Sequence, residues 1–387
     1  MILTKLETFL TNSGLRNYLF VRLTTDTGLT GLGEASLEWQ EKTVQTMIHE
    51  WVEDRILGED PHNVKSIATN LIRDQYQGGA TVMTAISSVE IAMWDILGKS
   101  QGKPVYELLG GKVRDHLPAY ANGWYGKTRT AKEFALKACE VVERGYRAMK
   151  FDPFETAWQT MTSAEMDHAQ NIVQAVRQEV GCQVDLMIEV HGRLSSDVAI
   201  EMAGRLEEYN PAWYEEPVPP LALDDLLTVK ANINFPVAGG ERLYTLEEFS
   251  RICRMGAIDV LQLDPSHCGG LWVSQQAADL AHQRQIMVSP HCSVGPVALC
   301  AALHFNWATP NVEIQENFSE YDVPWRTNYV KGWNPIENGN FTLSDQPGLG
   351  IELDEAICQV HPYRKASFPS LWDNKWIDEF TKKDTVE

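Results

Sequence analysis

The chain has 387 residues and is acidic, with 33 Lys and Arg against 53 Asp and Glu and a formal net charge of −20. Because nucleic acids and anionic membranes are bound by clustered basic side chains, neither is expected as a partner. A hydrophobic content of 44% excludes a disordered chain, and the length predicts two or three domains or one barrel with an accessory layer. An anionic small substrate stays open, since a bound metal ion can reverse the local field.

The cysteines and the N-terminal residues indicate the cellular compartment in which the protein is expected. The seven cysteines are scattered and form no CxxC pair, which is typical of reduced thiols in a cytosolic protein and not of disulfides or a zinc site. The first residues, MILTKLETFLTNSG, lack the apolar core and cleavage site of a signal peptide. No stretch approaches the ~18 apolar residues of a membrane span. We therefore expect a soluble, cytoplasmic protein.

The N-terminal third is predicted to be a separate α+β module. Residues 1–35 alternate as antiparallel strands do, with Asp26-Thr27-Gly28 as a turn. Residues 40–110 are predicted to be helical, most clearly at Ala80–Lys99, which is followed by Gly102 and Pro104 as stop signals. Strands followed by helices are typical of an α+β unit.

From about residue 116 the pattern changes to short apolar strands that alternate with helical segments. Eight strands over about 200 residues predict an α/β fold of the (β/α)₈ barrel type. A doubly wound sheet is the alternative, but no GxGxxG turn follows the first strand. The strand segments are HLPAYANGWY, YRAMKFDPF, DLMIEVHG, AWYEEPV, PVAGGERL, VLQLDPS, IMVSPHC and VEIQENF.

Seven of the eight strands end in a charged residue or a histidine, and from the third strand onward these residues recur every 23 to 27 positions. That interval is one strand–helix unit. In a barrel the carboxyl ends of the strands meet at one mouth, where active sites lie, so these side chains are predicted to converge. They are Lys150, Glu189 with His191, Glu215, Glu241, Asp264, His291 and Glu316.

Three of these residues, Glu189, Glu215 and Glu241, would repel one another unless a cation neutralised them. Oxygen ligands without cysteine favour Mg²⁺ over zinc, so we predict a magnesium site. One such residue alone would be better explained as a solvated glutamate at a strand end; three in phase favour a metal. The adjacent Glu216 is a second candidate within EEP, and alternation along the strand does not say which of the two faces the barrel axis.

Asp264 and His291 end neighbouring strands and could form a dyad, in which the aspartate fixes the tautomer of a general base. Lys150 would face this dyad as a clamp for a carboxylate or as a second base. His191 lies two residues after Glu189, on the same side of the strand by alternation, and could act as a general acid. Such a set is suited to removing the weakly acidic proton α to a carboxylate.

The ordered set of motifs resembles the mandelate racemase subgroup of the enolase superfamily over nearly the whole chain. The helix segment AISSVEIAMWDILGK is similar to the subgroup's capping-domain signature. The segments HGR, EEPV, GER and PHC are most similar to those of acid-sugar dehydratases of the galactonate and gluconate type. The strand segments that follow the family's order are MKFD, IEVHGR, YEEPV, GGERL, LQLDPSHCGG, SPHCSVGP and IQEN.

The resemblance implies a modified (β/α)₈ barrel over residues 116–330. An α+β capping domain would be formed by residues 1–115 and completed by the C-terminal segment 331–387. A loop of this domain near residues 11–18 would select the substrate. The expected partner is a small-molecule acid sugar, and relatives of this kind suggest a symmetric homo-oligomer.

The resemblance also implies roles at the metal and the base. Glu189, Glu215 and Glu241 would bind Mg²⁺, which assigns the ligand of the EEP segment to its first glutamate. Asp264 and His291 would form the base dyad, with His291 taking the C2 proton of the substrate.

The remaining residues would contact the substrate. Glu316 would hydrogen-bond the substrate carboxylate, and Lys150 would contact that carboxylate or the developing enediolate. His191 would protonate the departing 3-hydroxyl. The implied reaction is Mg²⁺-dependent loss of water from an aldonate or aldarate, which gives a 2-keto-3-deoxy acid.

The sequence departs from the family's racemases at the second strand. Those enzymes carry Lys-x-Lys, whereas this chain has Lys150-Phe151-Asp152 and offers no second lysine as a base. This favours dehydration, with Asp152 as a weak base or a ligand of a substrate hydroxyl. The alternatives are an epimerase, racemase or cycloisomerase that uses the same enediolate, and a catalytically silent metabolite-binding protein. Glu189 stands where Asp is common, and its longer arm should shift the metal slightly.

Overall fold

The structure is a computed structural model that describes residues 1–76, 78–126, 128–321 and 323–365. Residues 366–387 of the predicted C-terminal segment lie outside the described residues. The strands are β1 (Leu3–Asn12), β2 (Asn17–Thr25), β3 (Thr30–Glu34), β4 (Leu117–Ala121), β5 (Ala148–Phe151), β6 (Asp185–Glu189), β7 (Trp213–Glu215), β8 (Val237–Gly239), β9 (Val260–Leu261), β10 (Met287–Val288), β11 (Gln315–Asn317), β12 (Val330–Lys331), β13 (Asn340–Phe341) and β14 (Glu352–Leu353). The α-helices are α1 (Glu41–Met47), α2 (Glu53–Ile56), α3 (Val64–Asp74), α4 (Ala80–Gln101), α5 (Val105–Leu108), α6 (Ala131–Glu143), α7 (Ser163–Val180), α8 (Ser196–Leu206), α9 (Leu223–Ala231), α10 (Leu246–Met255), α11 (Leu271–His282), α12 (Pro296–Ala308) and α13 (Glu355–Val360). Shorter helical segments are a π-helical turn at Ile48–Val52 and 3₁₀ turns at Pro61–Asn63, Glu207–Tyr209 and Arg326–Tyr329.

The eight strands β4 to β11 form the predicted barrel. They are parallel, run in sequence order from β4 to β10, and β11 returns to pair with β4. A parallel bridge between Val288 and Val312 joins the remaining edges, and the Val288 N–H donates to the Asn311 carbonyl at 2.8 Å. The seven helices α6 to α12 lie between consecutive strands. The predicted α/β barrel class is therefore confirmed, with a strand inside each of the eight predicted segments.

The N-terminal module is a three-stranded antiparallel sheet, β1 to β3, packed against α4. Two glycines of β3 permit the close approach: a Cβ at Gly31 would lie 2.1 Å from the Ala92 carbonyl oxygen, and one at Gly33 would lie 1.8 Å from that of Ser88. Helix α4 is long and apolar enough to cross a membrane, so the expectation that no such stretch exists is wrong. Most of α4 is buried inside the protein, as in the core helix of a globular fold.

Buried carboxylates of the module dock it onto the barrel. Glu34 accepts hydrogen bonds from the N–H groups of Gly295, Val297 and Ala298 at 2.6 to 3.1 Å, at the start of α12. Glu90 accepts from the first N–H groups of α11 at 2.8 and 2.9 Å. Unpaired N–H groups and the helix dipole favour a carboxylate at these positions. Because each barrel helix begins where a strand ends, these contacts place the module beside the mouth.

The described part of the C-terminal segment packs on both units. Helix α13 lies against β1, and the Asn12 N–H donates to the His361 carbonyl at 2.8 Å. Strand β13 pairs antiparallel with barrel strand β4. The domain boundaries at residues 115 and 330 stay predictions.

Candidate active site

Three carboxylates converge at the mouth, as the strand-end pattern predicts. Glu189 and Glu215 are the last residues of β6 and β7 and stand opposite each other in the parallel ladder. Glu241 follows β8 after Gly240, whose φ of +130° suits glycine. One oxygen of each carboxylate lies within 4.8 Å of one oxygen of each of the other two. Among the described residues, this is the one such cluster that could hold a metal ion.

The electrostatics of this cluster fit a cation. Burial raises the pKa values of Glu189 and Glu241, and burial together with the neighbouring Glu189 raises that of Glu215 to about 7. Ionising all three carboxylates is therefore costly without a positive charge between them. A donor set of carboxylate oxygens, with no nitrogen or sulfur, is the set that Mg²⁺ prefers.

The two adjacent glutamates of the EEP segment face different partners. Glu215 belongs to the carboxylate cluster and also accepts from the Trp213 indole N–H at 3.0 Å. The backbone leaves the strand at Glu216, where φ is +40°. The Glu216 side chain is bonded to the Arg242 guanidinium, with Nε at 2.8 Å. The cluster therefore takes the first glutamate, the one that the family resemblance implies.

Asp264 and His291 form the expected dyad. His291 Nδ1 lies 2.8 Å from Asp264 Oδ2, while Asp264 Oδ1 accepts from the Ser266 N–H at 2.8 Å and the Ser266 hydroxyl at 2.6 Å. Burial raises the pKa of Asp264, but the nearby His267 and the bonds from His291 and Ser266 outweigh it and hold the pKa at about 2. An ionised Asp264 fixes the proton on Nδ1 and leaves Nε2 of His291 for chemistry.

Nε2 of His291 points toward the carboxylates, 3.7 Å from Glu241 Oε2 and 3.8 Å from Glu316 Oε2. Burial lowers the pKa of His291, but Glu241, Glu316 and the Asp264 bond raise it well above its ordinary value. A cation at the cluster would offset the charge of Glu241 and favour the neutral imidazole that a general base requires.

Lys150 is buried among the acidic groups. Its ammonium lies 2.6 Å from Glu215 and 3.1 Å from both Glu189 and Glu316. Glu316 also accepts from the Asn122 amide and from the Cys292 N–H, each at 2.7 Å. The predicted contacts of Lys150 and Glu316 with a substrate carboxylate stay predictions.

His191 reaches the site by a different route from the one expected. Strand β6 ends at Glu189 and His191 has φ +54°, so alternation does not extend to it and the argument that placed it by alternation is wrong. The turn is closed by the His191 N–H, which donates to Glu189 Oε1 at 2.7 Å. The His191 ring is bonded through Nδ1 to Asp152 Oδ2 at 2.8 Å, and Arg193 forms an ion pair with the same oxygen.

The sequence matches two family descriptions. Residues 5–110 match the mandelate racemase / muconate lactonizing enzyme N-terminal domain, and residues 133–357 match the enolase C-terminal domain-like family. This chain belongs to the mandelate racemase subgroup of the enolase superfamily. The two matched ranges correspond to the capping module and to the greater part of the barrel of this family member.

Relatives of the family member span nearly its whole length. It is 35% identical, over 94% of its chain and 93% of the relative, to the D-gluconate/D-galactonate dehydratase of Picrophilus torridus. It is 34% identical, over 88% of its chain and 90% of the relative, to the D-galactonate dehydratase of Ralstonia pickettii. The crystal structure of a mandelate racemase/muconate lactonizing enzyme from Jannaschia sp. CCS1 superimposes with a TM-score of 0.88 at 33% identity, covering 94% of this chain and 98% of that one.

The structure adds residues to the site that the sequence argument missed. Asn122 follows β4, the one strand without a charged end, and a rule that included amides would have found it. Ser266 and Arg193 each bond an aspartate of a histidine pair, and both lie two residues beyond a residue singled out from the sequence. Arg16 lies in the loop near residues 11–18 that the resemblance assigns to substrate selection, and it donates to the Ser293 carbonyl two residues after His291.

Proposed function

We propose that this family member dehydrates an acid sugar, an aldonate or aldarate, to a 2-keto-3-deoxy acid with Mg²⁺ as cofactor. The observation that carries the proposal is the pair of histidines around the carboxylate cluster, His191 after β6 and His291 after β10. These strands are the third and seventh of an eight-stranded barrel and stand on opposite sides of it. A base on one side and an acid on the other suit an elimination. The relatives named gluconate and galactonate dehydratases support the same reaction.

Glu189, Glu215 and Glu241 would hold the cation. Bound Mg²⁺ would act as a Lewis acid that lowers the cost of negative charge on the substrate carboxylate. Lys150 would bind that carboxylate from the barrel side, which requires Lys150 to exchange part of its bonding to Glu189 and Glu215 for the substrate. A cation that neutralises these two glutamates makes that exchange less costly. Glu316 would hydrogen-bond the same carboxylate only in its protonated form, because an ionised carboxylate has no hydrogen to donate.

His291 would take the C2 proton on Nε2 while Asp264 holds the Nδ1 proton. The electron pair of the C2–H bond passes into the carboxylate as an enediolate. It then returns to form the C2–C3 double bond as the C3–O bond breaks. The His191 imidazolium would give its Nε2 proton to the departing hydroxide, so that water leaves. The enol that remains tautomerises to the 2-keto-3-deoxy acid.

The test is a screen of C5 and C6 aldonic and aldaric acids with Mg²⁺, read as 2-keto acid formed. We expect turnover of at least one acid and its loss on chelation with EDTA. In D₂O with that acid, His291→Asn should lose both C2 proton exchange and product. His191→Asn should retain exchange and lose product by about 100-fold or more.

Three outcomes would overturn the proposal. C2 exchange by the wild-type protein with no keto product from any acid would indicate an epimerase, racemase or cycloisomerase. Normal dehydration by both histidine variants would show that His191 is not the acid and His291 is not the base. Mg²⁺-dependent binding of an acid sugar with neither exchange nor product would indicate a silent metabolite-binding protein.

A further inference from the structure

A chain of three side chains runs from the interior to the mouth behind His191. Arg193 is 1% exposed, Asp152 is 12% exposed and His191 is 24% exposed. Asp152 Oδ2 lies 2.8 Å from His191 Nδ1 and forms an ion pair with the Arg193 guanidinium, one terminal nitrogen of which also lies 3.3 Å from His191 Nδ1. Because Asp152 and Arg193 both approach Nδ1, the opposite ring nitrogen, Nε2, is the one that can meet a substrate.

Arg193 is fixed by backbone carbonyls as well as by Asp152. Its Nε donates to the Val190 carbonyl at 2.8 Å, and one terminal nitrogen donates to the Glu155 carbonyl at 2.6 Å. The guanidinium therefore joins the turn after β6 to the loop after β5. A planar guanidinium with several donors can hold such a junction, whereas a lysine ammonium cannot reproduce its geometry.

Both oxygens of Asp152 are already bonded. Oδ1 accepts from the Phe154 N–H at 3.0 Å, and Oδ2 accepts from His191 and Arg193. A carboxylate held in this way is poorly suited to take a proton from C2 or to follow a substrate hydroxyl. The expectation that Asp152 acts as a weak base or as a substrate ligand is therefore less well supported than a role behind the histidine.

We propose that Asp152 and Arg193 are positioning residues for His191. Asp152 holds the Nδ1–H of the imidazole, so that Nε2 faces the bound acid sugar, and Arg193 holds Asp152 in place. The inference rests on the proposed function, in which His191 protonates the departing 3-hydroxyl. It rests on ring orientation and tautomer, which the geometry of the three side chains sets.

The same device serves the base on the other side of the barrel. Asp264 meets His291 Nδ1 at the same 2.8 Å and is itself held by Ser266. Replacing the aspartate of such a pair by asparagine keeps the shape but can stabilise the wrong imidazole tautomer. The two pairs can thus be disabled one at a time, and each partial reaction reports on one of them.

The first experiment measures partial reactions of Asp152→Asn and Arg193→Met with the acid found in the screen. Dehydration should fall by about 100-fold in each variant, with C2 exchange in D₂O within about threefold of wild type. The double variant His191→Asn/Asp152→Asn should lose no more than His191→Asn alone, because both changes remove one function. Arg177→Met is the control, since Arg177 also anchors carbonyls, of Tyr209 and Val184, but at the opposite end of the barrel. It should leave both reactions unchanged.

The second experiment needs no turnover and separates this inference from the proposed function. Nitrogen NMR of ¹⁵N-histidine-labelled full-length protein should show the neutral His191 ring protonated at Nδ1 in the wild type. In Asp152→Asn that preference should be lost, with the His291 signals unchanged. The inference is overturned if the His191 tautomer is the same in both proteins, if Asp152→Asn dehydrates normally, or if the double variant falls well below His191→Asn. If the tautomer differs between wild type and Asp152→Asn as expected, but the wild type forms no keto acid, the proposed function is overturned and this inference is not.

Discussion

Lys150 Nζ lies 2.6 Å from Glu215 Oε1, so a side chain predicted to meet the substrate is bonded to a carboxylate predicted to bind the metal. The ammonium is buried and also lies within 3.1 Å of Glu189 and Glu316. Lys150 thus supplies one positive charge to a group of three carboxylates, whose combined negative charge is larger. The excess is what a divalent cation would neutralise, so the lysine and the cation share one electrostatic task.

Lys150→Met should therefore destabilise the metal-free protein. Removing one partner of a buried charge cluster leaves uncompensated carboxylates, at a cost of about 3–5 kcal/mol in the free energy of unfolding. Saturating Mg²⁺ should recover part of the loss, because the cation neutralises the same groups. Denaturant unfolding with and without Mg²⁺ measures both effects. Lys137→Met, at an exposed ion pair with Glu140, is the control and should change stability by less than about 1 kcal/mol. Equal stability of Lys150→Met and wild type in EDTA would contradict this account.

Glu215→Gln and Glu216→Gln should differ in metal binding although the residues are neighbours. Glu215 belongs to the carboxylate cluster, whereas Glu216 pairs with Arg242. We expect Glu215→Gln to weaken Mg²⁺ binding by at least about tenfold in calorimetry, since an amide is a poorer ligand than a carboxylate. Glu216→Gln should stay closer to wild type. The reverse order would show that the second glutamate is the ligand.

The strand-end pattern was sufficient to predict which side chains converge, because a parallel barrel brings the ends of its strands to one mouth whatever the helices between them contain. It could not separate Glu215 from Glu216, since that choice depends on where the strand ends and the backbone turns to φ +40°. The alternation argument for His191 failed for the same reason, because β6 ends at Glu189 and the backbone turns before it reaches His191. The resemblance placed the loop that contains Arg16 at the substrate, but no local pattern could predict its contact with Ser293, because the two residues are remote in sequence.

A pair of aldonates that differ only at C2, such as D-gluconate and D-mannonate, should be treated differently. His291 approaches from one side of the barrel, while the side chain at the position of the racemases' second lysine, Asp152, is bonded to His191 and Arg193. We therefore expect at most one epimer of each pair to exchange its C2 proton in D₂O and to be dehydrated. Proton NMR of both acids with the enzyme measures this. Exchange in both epimers with their interconversion would indicate a second base and favour an epimerase.

His304, which the site does not use, should make the stability of the fold depend on pH. Its Nδ1 accepts from the Tyr106 N–H and its Nε2 donates to the Leu349 carbonyl, both at 3.2 Å, so the neutral ring is fully bonded. Burial lowers the pKa of His304 to about 4, against a value of about 6.5 in the unfolded chain. Between these values the unfolded state binds a proton that the folded state does not, so this contribution to stability is complete above pH ~6.5 and is lost as the pH falls toward 4.

His304→Gln removes this pH-dependent contribution to stability. The difference in unfolding free energy between wild type and His304→Gln should shrink by about 2 kcal/mol from pH 7.5 to pH 5, measured by urea unfolding. A difference that does not change with pH would mean that the folded imidazole takes up its proton over the same pH range as in the unfolded chain, so that burial does not lower its pKa.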